Sequence, residues 1–143
     1  MTTIRHLLHG KGHAIHSVRK GATVLDAIAK MAENNVGCLL VMDERDKLIG
    51  VITERHYARN VFLKGKASPT TLVEDIMRTA VLCARPDQTI EQCMAVMTKN
   101  RVRHLPVLDD ESVIGVVSMG DLVQSTIADQ QFVIEQLEHY IHG

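Results

Sequence analysis

The chain has 143 residues, of which 45% are apolar and 23% are charged, a composition typical of a folded domain that buries its own core. Lys and Arg number 16 against 17 for Asp and Glu. This balance argues against nucleic acid as a partner, because the chain has no net positive field to attract a phosphate backbone.

The first segment is rich in histidine. His6, His9, His13 and His16 are spaced so that on a continuous helix they would share one side and could bind a metal ion. Gly10 and Gly12 are expected to interrupt such a helix. A metal-binding module that uses these histidines is therefore an alternative function, and our main interpretation expects no metal.

A complete structural unit follows. Thr23 is a good N-cap for a helix, and the apolar residues after it recur at helical spacing, at Val24, Ala27, Ile28 and Met31. Two β-rich runs, 36–42 and 48–53, are separated by a polar turn and predict a hairpin. A second helix is expected from about Glu54 to Leu63.

The same unit is then repeated. Residues 64–72 form a linker, in which Gly65 ends one helix and Pro69 prevents its continuation. When Thr23 is aligned with Thr89, the matches include Met31 with Met97, Asn34 with Asn100, Val41 with Val107 and Asp43 with Asp109. A capping box at Thr89 and Gln92, strands at 102–108 and 113–118, and a helix from about Gly120 complete the second copy.

One repeat is too small to bury its own sheet. We therefore expect an α/β (α+β) fold of two β-α-β-β-α repeats, packed sheet to sheet with pseudo-twofold symmetry, and any ligand site built from both. The predicted boundaries are 8–63 for repeat 1, 64–72 for the linker, 73–128 for repeat 2 and 129–143 for a C-terminal helical extension. Ile127, Ile134 and Ile141 form a heptad-like stripe, which predicts a homodimer.

Several classes of protein are disfavoured by missing patterns. No apolar run approaches the roughly 20 residues that span a bilayer, and residues 1–17 lack the apolar core of an export signal, so we expect a cytoplasmic protein that does not contact membranes. Cys38, Cys83 and Cys93 form no CxxC pair and should be free thiols. No GxGxxG, GxxxxGK[ST], HExxH or GxSxG motif is present, so we expect no catalysis.

Two motifs carry a family resemblance. Each copy has an apolar strand followed by a Gly-hydrophobic-hydrophobic-Ser/Thr strand, and the second copy ends in Ser118-Met119-Gly120-Asp121. These features resemble a tandem pair of cystathionine-β-synthase (CBS) domains, a Bateman module, over roughly residues 8–128. The segments 52–59, 63–68 and 134–141 are similar to the small stand-alone bacterial members.

The resemblance implies a site for an adenine nucleotide, of the AMP, ADP, ATP or NAD type. Asp121 would clamp the ribose, since a carboxylate accepts hydrogen bonds from both hydroxyls, with Ser118 and Gly120 beside it. Arg103 and His104 would reach the phosphates. An apolar slot for adenine is implied by the family pattern at Ala22, Ala27 and Val116. The alternative for Asp121 is that it only caps a helix beginning at Leu122.

The first copy departs from this pattern, because His56 follows Thr53 where an aspartate is expected and Cys38 replaces the residue matched by His104. A second site is therefore a weaker hypothesis, with residues Thr53, Arg55, His56, Lys64 and Lys66. The predicted function is a regulatory, signal-transduction module that senses a small-molecule nucleotide and passes the signal to an unidentified regulated protein. The remaining alternative is a structural dimerisation or docking module that binds no ligand.

Overall fold

The computed structural model describes residues 1–142, so Gly143, the last residue of the predicted extension, lies outside the described residues. In chain order the elements are α1 (Ile4–Lys11), β1 (Ser17–Arg19), α2 (Val24–Asn34), β2 (Cys38–Met42), β3 (Leu48–Thr53), α3 (Glu54–Tyr57), a π-helical turn (Ala58–Phe62), a 3-10 turn (Val73–Asp75), α4 (Ile90–Asn100), β4 (His104–Asp109), β5 (Ser112–Ser118) and α5 (Met119–His142). The mixed α/β class expected from the sequence is confirmed.

The chain forms two compact units. The first unit comprises residues 14–82 with the turn 110–113. The second unit comprises residues 1–13, 83–109 and the chain from 114 onward. Residues 1–13 therefore fold with the second sequence repeat, and the predicted linker, 64–72, folds with the first.

In the first unit, β1 pairs in parallel with β2, and β2 pairs antiparallel with β3. The capping box at Thr23 and Asp26 starts α2, which lays its apolar face, Val24, Ala27 and Met31, on the sheet. Burial of such aliphatic side chains contributes about 1.5–3 kcal/mol each. The expected hairpin of β2 and β3 is confirmed.

The second unit repeats this plan with one strand fewer. Strands β4 and β5 form a two-stranded sheet, and the predicted capping box at Thr89 and Gln92 starts α4. Helix α4 buries Ile90, Cys93 and Met97. Helix α5 buries Leu122 near its start, while its large apolar side chains from Ile127 onward are exposed.

The α-β-β unit of each copy is preceded by a lead-in segment, residues 1–13 for the first copy and residues 70–77 for the second, which packs with the other copy. The Ile4 N–H donates to the Gln88 carbonyl in the second unit, as the Val73 N–H donates to the Ala22 carbonyl in the first, both at 2.9 Å. Each lead-in segment packs closely against a glycine in a strand. A Cβ added to Gly115 would lie 2.8 Å from Leu8 Cδ2, and one added to Gly50 would lie 2.5 Å from Met77 Sδ.

Some boundaries differ from the expectation. Helix α1 continues through Gly10 and ends at Lys11, because Gly12 takes a positive φ of 105° that L residues rarely adopt. The expected interruption at Gly10 is wrong, and His13 and His16 lie beyond the helix. Strands β2 and β4 begin two residues later than predicted. Among residues 1–142 we find no helix with the length and apolarity needed to cross a bilayer.

Candidate functional site

The junction between β5 and α5 holds the residues predicted to bind a ribose. The Asp121 N–H donates to Ser118 Oγ at 3.1 Å, and the Ser118 N–H donates to Asp121 Oδ2 at 2.8 Å. This reciprocal pair is a capping box, in which Asp121 is the third residue of α5. The expectation of a helix starting at about Gly120, or at Leu122 in the capping alternative, is wrong by one to three residues. The capping role itself is present.

Lys11 from the end of α1 completes this cluster. Its Nζ donates to Asp121 Oδ2 at 2.6 Å and to the Val116 carbonyl at 2.7 Å. The two side chains are 38% and 23% exposed, so the ion pair is partly shielded from water. Sequence reasoning missed Lys11, because no local pattern indicates that residues 1–13 fold beside residues from the far end of the chain.

Asp121 is held in its charged form. Burial favours the neutral acid, but the hydrogen bonds from Lys11 and Ser118 outweigh burial and lower the pKa of Asp121 below its ordinary value. The carboxylate is therefore ionised at neutral pH. A charged acceptor of this kind forms stronger hydrogen bonds than a neutral one.

Arg103 and His104 stand at the start of β4, next to the same junction. The Met119 N–H donates to the Arg103 carbonyl at 2.9 Å, which ties the first residue of α5 to the residue before β4. Burial, together with the charges of Lys11 and Arg103, lowers the pKa of His104, and Asp121 opposes this effect. His104 is therefore neutral at pH 7, and an arriving anion would favour its protonation.

The remaining predicted residues divide between the units. Gly120 is exposed, and a Cβ added there would meet Ser118 Oγ at an ordinary 3.7 Å, so packing within the described chain does not require glycine. Val116 is half-buried in β5. Ala22 and Ala27 belong to the first unit, where Ala27 is fully buried in the core and Ala22 packs at its edge.

The residues of the weaker second site all lie in the first unit. Thr53 and His56 form a capping box at α3, in the position that Ser118 and Asp121 occupy at α5. Burial and the charges of Arg78, Arg55 and Arg59 lower the pKa of His56. Arg55, Lys64 and Lys66 are exposed. A neutral imidazole replaces the carboxylate here, so this junction lacks the charged acceptor of the second unit.

Metal binding by the histidines gains no support from the described residues. His13 Nδ1 is 2.7 Å from the Ile114 carbonyl oxygen, and its ring centroid is 6.2 Å from that of His9. Among the side chains of residues 1–141, no three His, Cys, Asp or Glu groups converge as a metal site would require. An open cavity of about 610 Å³ lies instead beside His6, Glu91, Asp129 and Phe132, and none of the predicted nucleotide-binding residues lines it.

Comparison with known proteins identifies the family. The sequence profile of the CBS domain matches residues 13–62 and again residues 73–127. The chain belongs to the CBS domain family. The CBS domain-containing protein CBSX3, mitochondrial, of Arabidopsis thaliana is 35% identical over 150 residues, which cover 99% of this chain and 73% of that protein.

Solved structures agree with this assignment. A protein with CBS domains from Burkholderia ambifaria is 47% identical, with a TM-score of 0.85 over 90% of this chain and 96% of that one. The CBS domain pair of protein MJ0100, solved in complex with 5′-methylthioadenosine and S-adenosyl-L-methionine, is 23% identical, with a TM-score of 0.80 over 90% of this chain and 98% of that one, and shares the fold. Paired CBS domains are regulatory modules, and this chain carries such a pair.

Proposed function

We propose that this CBS pair is a cytoplasmic sensor that binds one adenine nucleotide through Asp121 and catalyses no reaction. The observation that carries the proposal is the ionised Asp121 carboxylate, located beside Arg103 and His104 at a single strand-helix junction. A nucleotide needs two kinds of polar contact: a carboxylate that accepts hydrogen bonds from the ribose hydroxyls, and basic side chains that bind the phosphate. Ser118 and Gly120 flank the carboxylate, and Val116 lies two residues before Ser118.

The ligand class is supported by the structural neighbour that was solved with two adenosine compounds. Val116, half-buried in β5, remains the proposed contact for the adenine, whereas Ala27 is fully buried in the first unit's core and offers no surface to a ligand. The role of Ala22 stays a prediction. The first unit offers His56 where the second offers Asp121, so we propose that the single nucleotide binds at Asp121 and that the matching junction of the first unit is at best a weaker site. A ligand acts as a signal only if it prefers one conformation or assembly over another, and the regulated protein would read that difference.

Calorimetric titration tests the proposal. Wild-type protein is titrated with AMP, ADP, ATP, NAD and S-adenosylmethionine, and the titration is repeated on Asp121→Asn and Asp121→Ala. Asn keeps an oxygen that can accept from Ser118, while Ala removes both the cap and the charge. Gln92→Ala is the matched control, because it removes the corresponding capping-box side chain from α4 and leaves the proposed site intact.

We expect at least one ligand to bind, and both Asp121 variants to weaken it at least about tenfold, or about 1.4 kcal/mol. The Gln92→Ala variant should bind like the wild type. If no member of the panel binds the wild type, the sensor proposal is wrong. Binding that survives both Asp121 variants would place the ligand elsewhere.

A second proposal concerns self-association. The last four turns of α5 expose Val133, Ile134, Leu137, Tyr140 and Ile141, each more than half accessible. Contiguous apolar surface of this kind marks an interaction site, and the seven-residue spacing of Ile127, Ile134 and Ile141 matches a helix with the same repeat. We therefore propose that a second copy of the chain covers this stripe.

Light scattering coupled to gel filtration tests the dimer. The wild type should have twice the 15.9 kDa mass of one chain. Ile134→Glu should yield a monomer, because it places a charge in the stripe. His139→Glu introduces the same side chain on the polar face, where its helical neighbours are Glu135 and Gln136, and should leave the dimer intact. A monomeric wild type would refute this proposal without affecting the nucleotide proposal.

A further inference from the structure

We infer that Lys11 is a specificity-determining residue that selects adenosine ligands carrying a 5′-phosphate over uncharged or cationic adenosine compounds. The inference deepens the proposed function and rests on it. It starts from the position of the Lys11 ammonium group, which is bonded to the carboxylate that a ribose would need.

The hydrogen bonds of Asp121 are divided unequally between its two oxygens. Oδ2 accepts from the Ser118 N–H and from Lys11 Nζ, which uses its usual capacity of two bonds. Oδ1 accepts from no group of residues 1–141, whose side chains the structure describes. A ribose that places one hydroxyl on each oxygen must therefore displace a donor from Oδ2. The Ser118 amide is fixed by the backbone, so the flexible lysine is the donor that moves.

A displaced Lys11 leaves an ammonium group in a positively charged surrounding. Its charge and that of Arg103 are both close enough to lower the pKa of His104, so the three basic side chains share one region of the second unit. Asp121 is the acidic side chain that pairs with Lys11, and in the complex its carboxylate would be occupied by the ribose hydroxyls of the ligand. An uncompensated charge that is partly removed from water is unfavourable.

The charge of the ligand then decides the outcome. A 5′-phosphate supplies the anion that Lys11 loses when the ribose engages Asp121, so the ion pair is exchanged for another one. Adenosine and 5′-methylthioadenosine carry no such group, and the displaced lysine stays unpaired. A sulfonium ligand such as S-adenosylmethionine brings a further positive charge into the same region.

The first unit has no corresponding lysine. There the carbonyl of Val51, which matches Val116 in the repeat, accepts from the Arg78 backbone N–H at 2.9 Å. The side-chain contact from Lys11 to Val116 is thus replaced by a main-chain contact, and the acid is replaced by His56. The ion pair of Lys11 with Asp121, which we infer to be selective, therefore belongs to the second unit alone.

Calorimetry at pH 8 with AMP, adenosine and S-adenosylmethionine tests the inference on wild type, Lys11→Met and Lys11→Arg. Methionine keeps an unbranched stem without the charge, and arginine keeps the charge. The matched control is Lys20→Met, which removes the same charge from an exposed ion pair with Glu44 in the first unit. Circular dichroism confirms that each variant is folded.

The wild type should bind AMP at least about tenfold more tightly than adenosine or S-adenosylmethionine. Lys11→Met should reduce that preference at least about fivefold, by weakening AMP and leaving adenosine equal or tighter. Lys11→Arg and Lys20→Met should keep the preference. A preference for AMP that is unchanged in Lys11→Met, or a wild type that binds adenosine as well as AMP, overturns the inference while the sensor proposal stands. If none of the three ligands nor ADP, ATP or NAD binds the wild type, the proposed function fails and the inference fails with it.

Discussion

The contact between Leu8 and Gly115 predicts a measurable coupling across the length of the chain. Leu8 is fully buried, and a Cβ on Gly115 would lie 2.8 Å and 3.1 Å from its two δ carbons. Leu8→Ala should lower the free energy of unfolding by about 2–5 kcal/mol, through lost burial and the cavity left behind. Gly115→Ala should cost about 1–3 kcal/mol, because the new methyl group pushes Leu8 from its place.

The double variant should be more stable than the sum of these losses predicts. Leu8→Ala removes the atoms that the Gly115→Ala methyl group would strike, and that methyl group fills part of the cavity. We expect a favourable coupling free energy of at least about 1 kcal/mol, well above the 0.3–0.5 kcal/mol error for independent sites. Both single losses are large against the 5–15 kcal/mol that stabilises a typical domain.

Equilibrium unfolding in urea, followed by far-ultraviolet circular dichroism, measures the free energy of unfolding of the wild type, the two single variants and the double variant. Leu63→Ala is the matched control, since Leu63 is 73% exposed and its truncation should change the free energy of unfolding by less than about 0.5 kcal/mol. Additive effects of the two core substitutions would mean that α1 does not pack on β5. That result would also remove the basis for placing Lys11 beside Asp121.

Three further predictions follow from the site and the core. Gly120→Ala should fold at least as stably as the wild type, because alanine is the better helix former by up to about 1 kcal/mol, yet titration should show weaker nucleotide binding if the ligand approaches that backbone. The folded-state pKa of His104 lies below its unfolded value of 6.5. The stability that His104 contributes is therefore present above pH 6.5 and is lost as the pH falls toward the folded-state pKa. Between pH 7 and pH 5, the free energy of unfolding measured in urea should fall less in His104→Gln than in the wild type. Burial raises the pKa of the Cys38 thiol to about 12 and that of Cys93 to about 11, so a thiolate-selective reagent at pH 8 should label both far more slowly in native than in urea-unfolded protein.

The features predicted correctly from sequence are those set by local chemistry. The N-cap at Thr23 and the capping box at Thr89 need only a hydroxyl and, for the box, a side-chain acceptor three residues later, so their residues are visible in the sequence. The two hairpins follow from pairs of β-rich runs separated by polar turns. Because the pattern occurs twice, each copy supports the helix and strands predicted for the other.

The features that were missed depend on contacts between distant segments. The sequence of residues 1–13 draws attention to its histidines, yet the residues that fix its place are Ile4, Leu7 and Leu8, which α1 buries within the second unit. The available signal was faint. Thr2-Thr3 before an aliphatic residue is echoed by Thr70-Thr71 before Leu72, and both pairs lie in the lead-in segments. The ion pair of Lys11 with Asp121 has no signal of its own, because nothing local links residues so far apart.

The interleaved order of the two units has a consequence for how the protein is made. Helix α1 and residues 14–82, nearly all of the first unit, are synthesised before residues 83–109 and the chain from 114 onward, which make up the rest of the second unit. At a typical 5–20 residues per second, the apolar face of α1 waits on the order of 5–20 s for Gly115 and its strand to emerge. During that interval Ile4 and Leu8, which are fully buried in the folded protein, are without their native cover and are open to non-native contacts with other apolar surfaces.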